Sequence, residues 1–354
     1  MTFRNVYMAW LCCLLAACRP DQIEPGLHPI QVAVPVNFPP VEQMADDPMT
    51  VEGVALGRKL FYDPVLSGNG NISCASCHRQ DLSFSDGLAL GDKGFSGQRL
   101  PRHAPALINL AWMNNGLFWD GGSTNLESQA FGPLTSPDEM HSDLYTMVEK
   151  LRAHPYYLRQ FRLVFRDTIR SGYIVRALAQ FERTLVSANS RYDKYARHEA
   201  GGALNEMEQK GLALVQTHCR RCHAGELFTD NSFHNNGLDT NFSNDTLEGL
   251  YQGRFRITHH PADLGRFKTP TLRNCLLTAP YMHDGRFSSI EQVLDHYSDG
   301  ILVSATTDSV LARGHQGRPG IALTDAEKKA IISFLSTLND SSFLLNKQFS
   351  SPFN

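Results

Sequence analysis

The chain has 354 residues, with 33 basic and 36 acidic side chains and a formal net charge of −3. This near balance gives no reason to expect a nucleic-acid or polyanionic partner. The length predicts two domains, and a hydrophobic content of 42% is sufficient for a buried core in each of them.

The first 18 residues have the pattern of a targeting segment. Arg4 precedes an apolar stretch, Val6 to Leu15, that is too short to span a bilayer. The sequence Leu15-Ala16-Ala17-Cys18 resembles a bacterial lipobox, in which the cysteine is lipidated and becomes the new N-terminus; an ordinary secretory signal is the alternative. Both predict a mature protein on the periplasmic side, and the lipobox predicts a lipoprotein anchored to the membrane through Cys18 alone. Residues 19–49 are rich in proline and lack periodicity, which predicts a tether.

Two pentapeptides share the pattern Cys-x-x-Cys-His, which is typical of c-type haem attachment. In this chemistry the two thiols add to the vinyl groups of one porphyrin, and the histidine that follows binds the iron. A zinc ribbon would place its cysteine pairs about 15–20 residues apart, and a redox dithiol or a disulfide would not require the histidine. The pattern therefore predicts two covalently bound haem c groups. The residues are Cys74, Cys77 and His78 in the first motif, and Cys219, Cys222 and His223 in the second.

The remaining cysteines fit the same interpretation. Of the eight cysteines, Cys12 and Cys13 leave with the signal, Cys18 carries lipid and four attach haem. Cys275 lies in an apolar run, Leu272 to Leu277, and is expected to be a small buried hydrophobic residue.

Helical periodicity surrounds both motifs. It predicts helices at Val51–Tyr62, within 126–151 and 171–189, from Leu204 to Val215, and from the capping box Thr324-x-x-Glu327 to Leu338. The fold is therefore predicted to be mainly α with long ordered loops, and to consist of two cytochrome-c-like domains, each around one covalently attached haem. The N-terminal domain is expected at 50–195 and the C-terminal domain at 200–340, with a polar junction at 191–202 and a tail at 341–354.

Five further stretches have distinctive sequences: Phe118–Gly121, Leu126–Leu134, Pro137–Met140, Phe267–Asn274 and Leu277–Phe287. Their order and spacing resemble the bacterial di-haem cytochrome c peroxidase family, including its MauG-like branch. With both motifs, the likeness runs from about Val51 to Leu338. The resemblance implies two cytochrome c domains that face each other, with a peroxidatic haem in the N-terminal domain and an electron-transfer haem in the C-terminal domain.

The resemblance also implies roles for individual residues. His78 would bind the iron of a haem with one open face, and Glu139 would move a proton from one oxygen of hydrogen peroxide to the other. Gln129 would position the peroxide by hydrogen bonding, and Pro133 would shape the same pocket. Trp119 would lie between the haems and relay electrons.

Two departures from the family pattern change the expected chemistry. Peroxidases that need reductive activation carry a distal histidine that blocks the peroxide site, and the corresponding place falls near Phe95, where no histidine occurs. The first haem is therefore expected to be five-coordinate without activation. Tyr297 stands where the second haem's distal methionine is expected, as in the MauG-like branch, with Met282 as the rival ligand and His296 as a weaker one. A tyrosinate favours ferric iron, whereas a methionine thioether raises the potential.

The family also binds calcium between its domains, through an asparagine side chain and two backbone carbonyls. Thr278 and Pro280 match the carbonyl positions, whereas His103 occupies the asparagine position. An imidazole is a poor ligand for this oxygen-seeking cation, so calcium is left open.

Three functions are compatible with these features. The first is a peroxidase that reduces hydrogen peroxide to water with electrons from a small redox protein (a cytochrome c or cupredoxin) or from a quinol-linked donor. The second is a MauG-like oxidase that modifies a partner protein or a small molecule, which Tyr297 favours and the small number of tryptophans opposes. The third is a non-catalytic di-haem electron carrier, which would need both irons six-coordinate. No membrane contact beyond the lipid anchor is expected, and homodimer formation is left open.

Overall fold

The computed structural model describes residues 26–41, 47–89, 94–243 and 250–353, so the predicted signal at 1–18 lies outside the described residues. These parts of the chain are mainly helical, and the single sheet found in them is an antiparallel pair, β1 (Phe233–His234) and β2 (Phe267–Lys268). None of the helices in these ranges is long and apolar enough to cross a bilayer. The predicted fold class, mainly α with long ordered loops, is confirmed. Short 3₁₀ helices lie at Pro64–Leu66, Gln80–Leu82, Leu110–Trp112, Leu250–Gln252, Pro261–Asp263 and Cys275–Leu277.

The N-terminal domain packs six helices around one apolar core. They are α1 (Val51–Tyr62), α2 (Cys74–Cys77), α3 (Leu126–Thr135), α4 (Leu144–Arg152), α5 (Pro155–Phe165) and α6 (Ser171–Arg183). The Thr50 hydroxyl caps α1 by accepting a hydrogen bond from the amide of Gly53. α1 and α6 cross so closely that a Cβ on Gly57 would overlap the carbonyl oxygen of Ala177. Glycine at this position therefore permits the tight crossing that frames the first motif.

The C-terminal domain repeats this construction around the second motif. Its helices are α7 (Arg191–Ala196), α8 (Glu206–His218), α9 (Phe255–Thr258), α10 (Ile290–Asp299), α11 (Ser309–Arg313) and α12 (Asp325–Ser336). α8 crosses α12 at Gly211, where a Cβ would overlap the carbonyl oxygen of Ala330. The predicted capping box is present, because the Thr324 side chain accepts from the amide of Glu327. Cys275 is buried in this core, as expected.

The polar segment at 191–202 is part of the C-terminal domain. Tyr192 packs in its core against Phe228 and Phe334, with ring centroids 5.2 and 5.5 Å away. Asp193 is buried because it pairs with Arg273, at 2.9 and 2.8 Å between guanidinium nitrogens and carboxylate oxygens. Composition alone indicated a polar junction between the domains, and the pairing of opposite charges is what allows Asp193 to be buried.

The structure differs from the predicted tether at residues 26–41 and 47–49. Val32, Phe38 and Met49 are buried in a small cluster with Trp112 and Leu227, which belong to the two domains. The proline-rich composition gave no sign that these apolar side chains are buried, because their burial depends on contacts with both domains.

Residues 341–353, which the sequence predicts to be a tail, also pack against the rest of the protein. The segment opens with α13 (Ser341–Leu344), and Phe343 and Phe349 enter the core of the N-terminal domain. The Tyr62 hydroxyl donates to the carbonyl oxygen of Phe349 at 2.7 Å, and Arg58 Nε donates to that of Ser350 at 2.7 Å. The end of the described chain therefore links the C-terminal domain back to α1.

Candidate active site between the two domains

The first Cys-x-x-Cys-His motif consists of α2 and the residue that follows it. Cys74 and Cys77 begin and end this short helix, so their side chains lie about one helical turn apart. His78 Nδ1 lies 2.8 Å from the carbonyl oxygen of Phe84. A carbonyl can only accept, so Nδ1 carries the proton and the lone pair of Nε2 is left for a metal. Burial lowers the pKa of His78, which keeps the imidazole in the neutral form that ligation requires.

The second motif has the same arrangement at the end of α8. Cys219 is the C-cap of α8, Cys222 follows three residues later, and His223 Nδ1 lies 3.1 Å from the carbonyl oxygen of Pro270. The Phe228 carbonyl, 3.3 Å from the same nitrogen, is a second acceptor. Both histidines are thus oriented by backbone carbonyls as iron ligands are, and the donor sets of both motifs fit a haem.

A cavity of about 300 Å³ opens beside the second motif and extends to the N-terminal domain. His283 lies on its wall, stacked on the Phe267 ring at 3.6 Å between centroids. Its Nε2 is buried and has no hydrogen-bond partner among the described residues, which is costly unless a bound molecule supplies one. This is a further fit to a cofactor with polar groups. His283 belongs to the sequence motif Tyr-x-His-Asp-Gly, but the sequence did not indicate that its side chain would be buried beside the cavity.

Trp119 lies where the two domains meet, on the wall of the same cavity. Its indole Nε1 donates to the carbonyl oxygen of His103 at 2.9 Å, and its own carbonyl accepts from the amide of Lys268 at 2.8 Å. These bonds tie the indole to the N-terminal domain and its backbone to β2 of the C-terminal domain. The position agrees with a relay between two centres, and the relay itself stays a prediction.

Gln129 and Pro133 are four residues apart on α3 and therefore share a face, with Gln129 on the cavity wall. The Pro133 carbonyl accepts from the amide of Met140 at 3.1 Å, which folds the loop carrying Glu139 back against the end of the helix. Burial raises the pKa of Glu139, although a hydrogen bond from Ser136 opposes this effect. A partly buried carboxyl group with a raised pKa is typical of general acid–base residues.

The loop after the first motif is fastened to Glu139 through its backbone. The Phe95 amide donates to the Glu139 carbonyl oxygen at 2.7 Å, and the Phe95 ring lies 4.5 Å from the ring of His141. A Cβ on Gly94 would overlap the Asp138 carbonyl oxygen, so the two loops fit closely. No histidine occurs between residues 79 and 102. The blocking histidine of reductively activated peroxidases therefore has no counterpart in this loop, as expected from the sequence.

Tyr297 and Met282 lie together on the cavity wall. The Asn236 side-chain nitrogen is 3.4 Å from the hydroxyl oxygen of Tyr297 and 3.4 Å from the sulfur of Met282. Burial raises the pKa of Tyr297 to about 12, so its phenolate form requires a nearby cation such as ferric iron. His296, the weaker candidate, has its Nε2 engaged at 2.9 Å with the Asn236 carbonyl oxygen. The fold thus retains Tyr297 and Met282 as the two candidate ligands.

The residues at the expected calcium position do not fit that cation well. His103, Thr278 and Pro280 do line one cavity. However, His103 Nδ1 lies 2.9 Å from the Leu88 carbonyl oxygen and 3.1 Å from a carboxylate oxygen of Asp86. Since both partners accept, Nδ1 carries a proton, and the side chain supplies an N–H where a calcium ligand needs an oxygen. The His103 and Asp86 side chains are only 5% and 2% exposed, so this pair occupies the position itself.

Two helical domains, each presenting one haem-binding motif, with an indole between them, define a two-centre redox protein. Residues 51–201 match the family model described as di-haem cytochrome c peroxidase. The chain is 38% identical over 303 residues to the methylamine utilization protein MauG of Methylorubrum extorquens, covering 82% of this chain and 79% of that protein. It is 33% identical over 337 residues to the cytochrome-c peroxidase IdrP1 of a Pseudomonas species, covering 87% and 86%.

The fold comparison agrees with the sequence comparison. A solved MauG-like protein associated with microbial copper homeostasis superposes with a TM-score of 0.81 at 34% identity, over 91% of this chain and 99% of that one. This chain belongs to the di-haem cytochrome c peroxidase family. It is accordingly an oxidoreductase with two haem groups, and the predicted family is confirmed.

Proposed function

We propose that this protein reduces hydrogen peroxide to water at the haem of the first motif, with electrons that arrive through the haem of the second. The reaction consumes one peroxide, two electrons and two protons and yields two waters. Family membership supports it, as does the relative named cytochrome-c peroxidase. The observation that carries the proposal is the carboxyl group of Glu139, which is partly buried beside a loop without a blocking histidine.

Covalent attachment of both haems is part of the proposal. Cys74 and Cys77 would form thioethers to the first haem, and Cys219 and Cys222 to the second, while His78 and His223 present Nε2 to the irons. The spacing of the cysteines in both motifs and the backbone acceptors of both imidazoles support this assignment. The bound haems supply the redox-active iron that exchanges electrons with peroxide and with the donor.

Glu139 and Gln129 handle the peroxide in this account. Glu139 takes the proton from one peroxide oxygen and delivers it to the other, so that water leaves as the O–O bond breaks. Its raised pKa makes the first half of this transfer easier, because the conjugate base of a weaker acid is a stronger base, and the protonated group is still acidic enough to deliver the proton in the second half. The Gln129 amide donates a hydrogen bond that orients the peroxide, and Pro133 limits the space beside it.

Electrons would reach the site from a small redox protein, a cytochrome c or cupredoxin, or from a quinol-linked donor. Trp119 is positioned to carry them, because its indole and backbone are bonded to different domains. A periplasmic location follows from the targeting segment, and Cys18 would anchor the protein as a lipoprotein.

A MauG-like oxidase is the second candidate function, and Tyr297 is the observation that favours it. A tyrosinate on the second haem would stabilise its oxidised states and suit the removal of electrons from a partner protein or small molecule. The likeness to the protein named MauG supports this alternative.

Steady-state turnover of hydrogen peroxide with a generic electron donor tests the proposal. Glu139→Gln keeps the size of the side chain and removes its base, so kcat should fall by about 10²–10⁴-fold. Asp138→Asn is the matched control, because it neutralises the exposed neighbouring acid and should leave turnover within about twofold of the original. Unchanged turnover in Glu139→Gln, or an equal loss in both variants, would contradict the proposed role. An original protein that does not consume peroxide would contradict the function itself.

A further inference from the structure

His234, on β1, is held between two carboxylates. Its Nε2 lies 2.8 Å from an oxygen of Asp230, and its Nδ1 lies 3.0 Å from an oxygen of Asp308. A neutral imidazole has one N–H only, whereas two carboxylates require two donors. The ring is therefore an imidazolium.

His234, Asp230 and Asp308 lie next to the second haem-binding motif. The Cys222 sulfur and the facing atoms of His234 and Asp308 all lie within 4.8 Å of one another. The Asp230 amide donates to the Cys222 carbonyl oxygen at 2.8 Å, and all of these residues except Asp230 line the cavity. Such a cluster could hold a metal ion only if the Cys222 sulfur were free. In this family that sulfur is committed to the haem, so the imidazolium lies beside the cofactor instead.

Two ion pairs hold the positive charge of His234 in place at this edge of the cavity. Arg221, Lys268 and Arg273 are other cationic side chains that line the cavity, and Arg273 is paired with Asp193. The positive charge of Arg221 lowers the pKa of Asp308. Burial lowers the pKa of Lys268 to about 8, so Lys268 loses its proton more readily than an exposed lysine does. Asp308 also caps α11 by accepting from the amide of Val310, which fixes the carboxylate in place.

We propose that His234 is a positioning residue that raises the reduction potential of the second haem, and that Asp230 and Asp308 hold it as a permanent positive charge. The inference rests on the haem attachment that the proposed function includes. A positive charge beside a porphyrin favours the reduced state, because the reduced iron centre carries one positive charge fewer. The two carboxylates act in the opposite direction, and His234 partly cancels them. Removing His234 exposes the haem to both.

The test is a potentiometric titration of the holoprotein, following the absorbance of the second haem. His234→Gln should move its midpoint to a more negative potential by on the order of 59 mV, a tenfold change in the reduction equilibrium of a one-electron couple. Asp308→Asn should move the midpoint in the positive direction, because it removes a negative charge while Asp230 still pairs with His234. The combined variant should lie between the two.

An electrostatic effect shifts the midpoint potential in opposite directions in the two single variants, and this distinguishes it from structural damage. Loosened packing at the cavity would shift both single variants in the same direction, and that result would overturn the proposal, as would an unchanged midpoint in His234→Gln. His315→Gln, at an exposed histidine of the same domain, is the control and should leave the midpoint unchanged. The potential is measured without peroxide, so failure here and failure of the peroxidase function are seen in different experiments.

Discussion

The pair of Asp193 and Arg273 should be the most sensitive point of the C-terminal domain. Both side chains are 0% exposed, and the two groups make parallel hydrogen bonds of 2.9 and 2.8 Å. Arg273 Nε also donates to the Glu226 carbonyl oxygen at 2.7 Å. Asp193→Asn leaves a buried guanidinium without its counter-charge. Loss of one partner of a buried ion pair costs about 3–5 kcal/mol, so the free energy of unfolding should fall by that amount.

Guanidinium-induced unfolding of the holoprotein, followed by circular dichroism and haem absorbance, measures this loss. Glu199→Gln is the matched control, since it removes an acid from a pair with Arg197 at the surface and should leave the unfolding free energy unchanged. Adding Arg273→Met to Asp193→Asn should recover part of the stability, because an apolar replacement of both charges is often neutral. A loss below about 1 kcal/mol, the range of exposed pairs, would refute the reasoning.

The same pair predicts a pH dependence. Burial alone would raise the pKa of Asp193, but hydrogen bonds from Arg273 and Ser190 outweigh it and hold the pKa below its ordinary value. A carboxyl group with a depressed folded-state pKa contributes stability above its unfolded pKa and loses it as the pH falls through the folded value. The contribution should therefore be complete at neutral pH and disappear only in strong acid.

Three further outcomes are expected. Tyr297→Phe should change the low-spin spectrum of the second haem while Met282→Leu leaves it intact; the reverse would assign the ligand to Met282. Extraction with a calcium chelator should leave haem spectra and turnover unchanged, because the His103 position offers an N–H instead of an oxygen; loss of either would show bound calcium. The acid limb of kcat/KM should rise with pH at a value above the ordinary 4.5 of Glu139 and vanish in Glu139→Gln; a limb that persists would assign it to another group.

Local patterns in the sequence predicted much of the fold. The Cys-x-x-Cys-His motifs, the helix Val51–Tyr62 and the capping box of α12 each depend on residues close together in the chain, and the structure has them at those positions. The long-range contacts were beyond such reasoning. Asp193 meets Arg273 across 80 residues, and nothing in the polar composition around Asp193 indicated that it would be buried. Phe343 and Phe349 likewise lie in a segment that the sequence predicted to be a tail, but both side chains pack in the core of the N-terminal domain.

The site divides in the same way. Gln129, Pro133 and Glu139 could be placed by spacing, because α3 and the loop after it keep them close. The two ion pairs of His234 could not be predicted in this way, because Asp230 and Asp308 are far apart in the sequence and come together only in the folded chain. Tyr297 and Met282 both contact Asn236, which is distant from them in the sequence, and the choice between these two candidate ligands stays a prediction.

The central claim is that the first haem has an open face beside Glu139. Electron paramagnetic resonance of the ferric holoprotein as isolated, with no reductant added, tests it most directly. One high-spin signal, which hydrogen peroxide abolishes, together with one low-spin signal is the result that this account predicts. Two low-spin signals would mean that a side chain already fills the sixth position of the first haem, and the protein would then be an electron carrier.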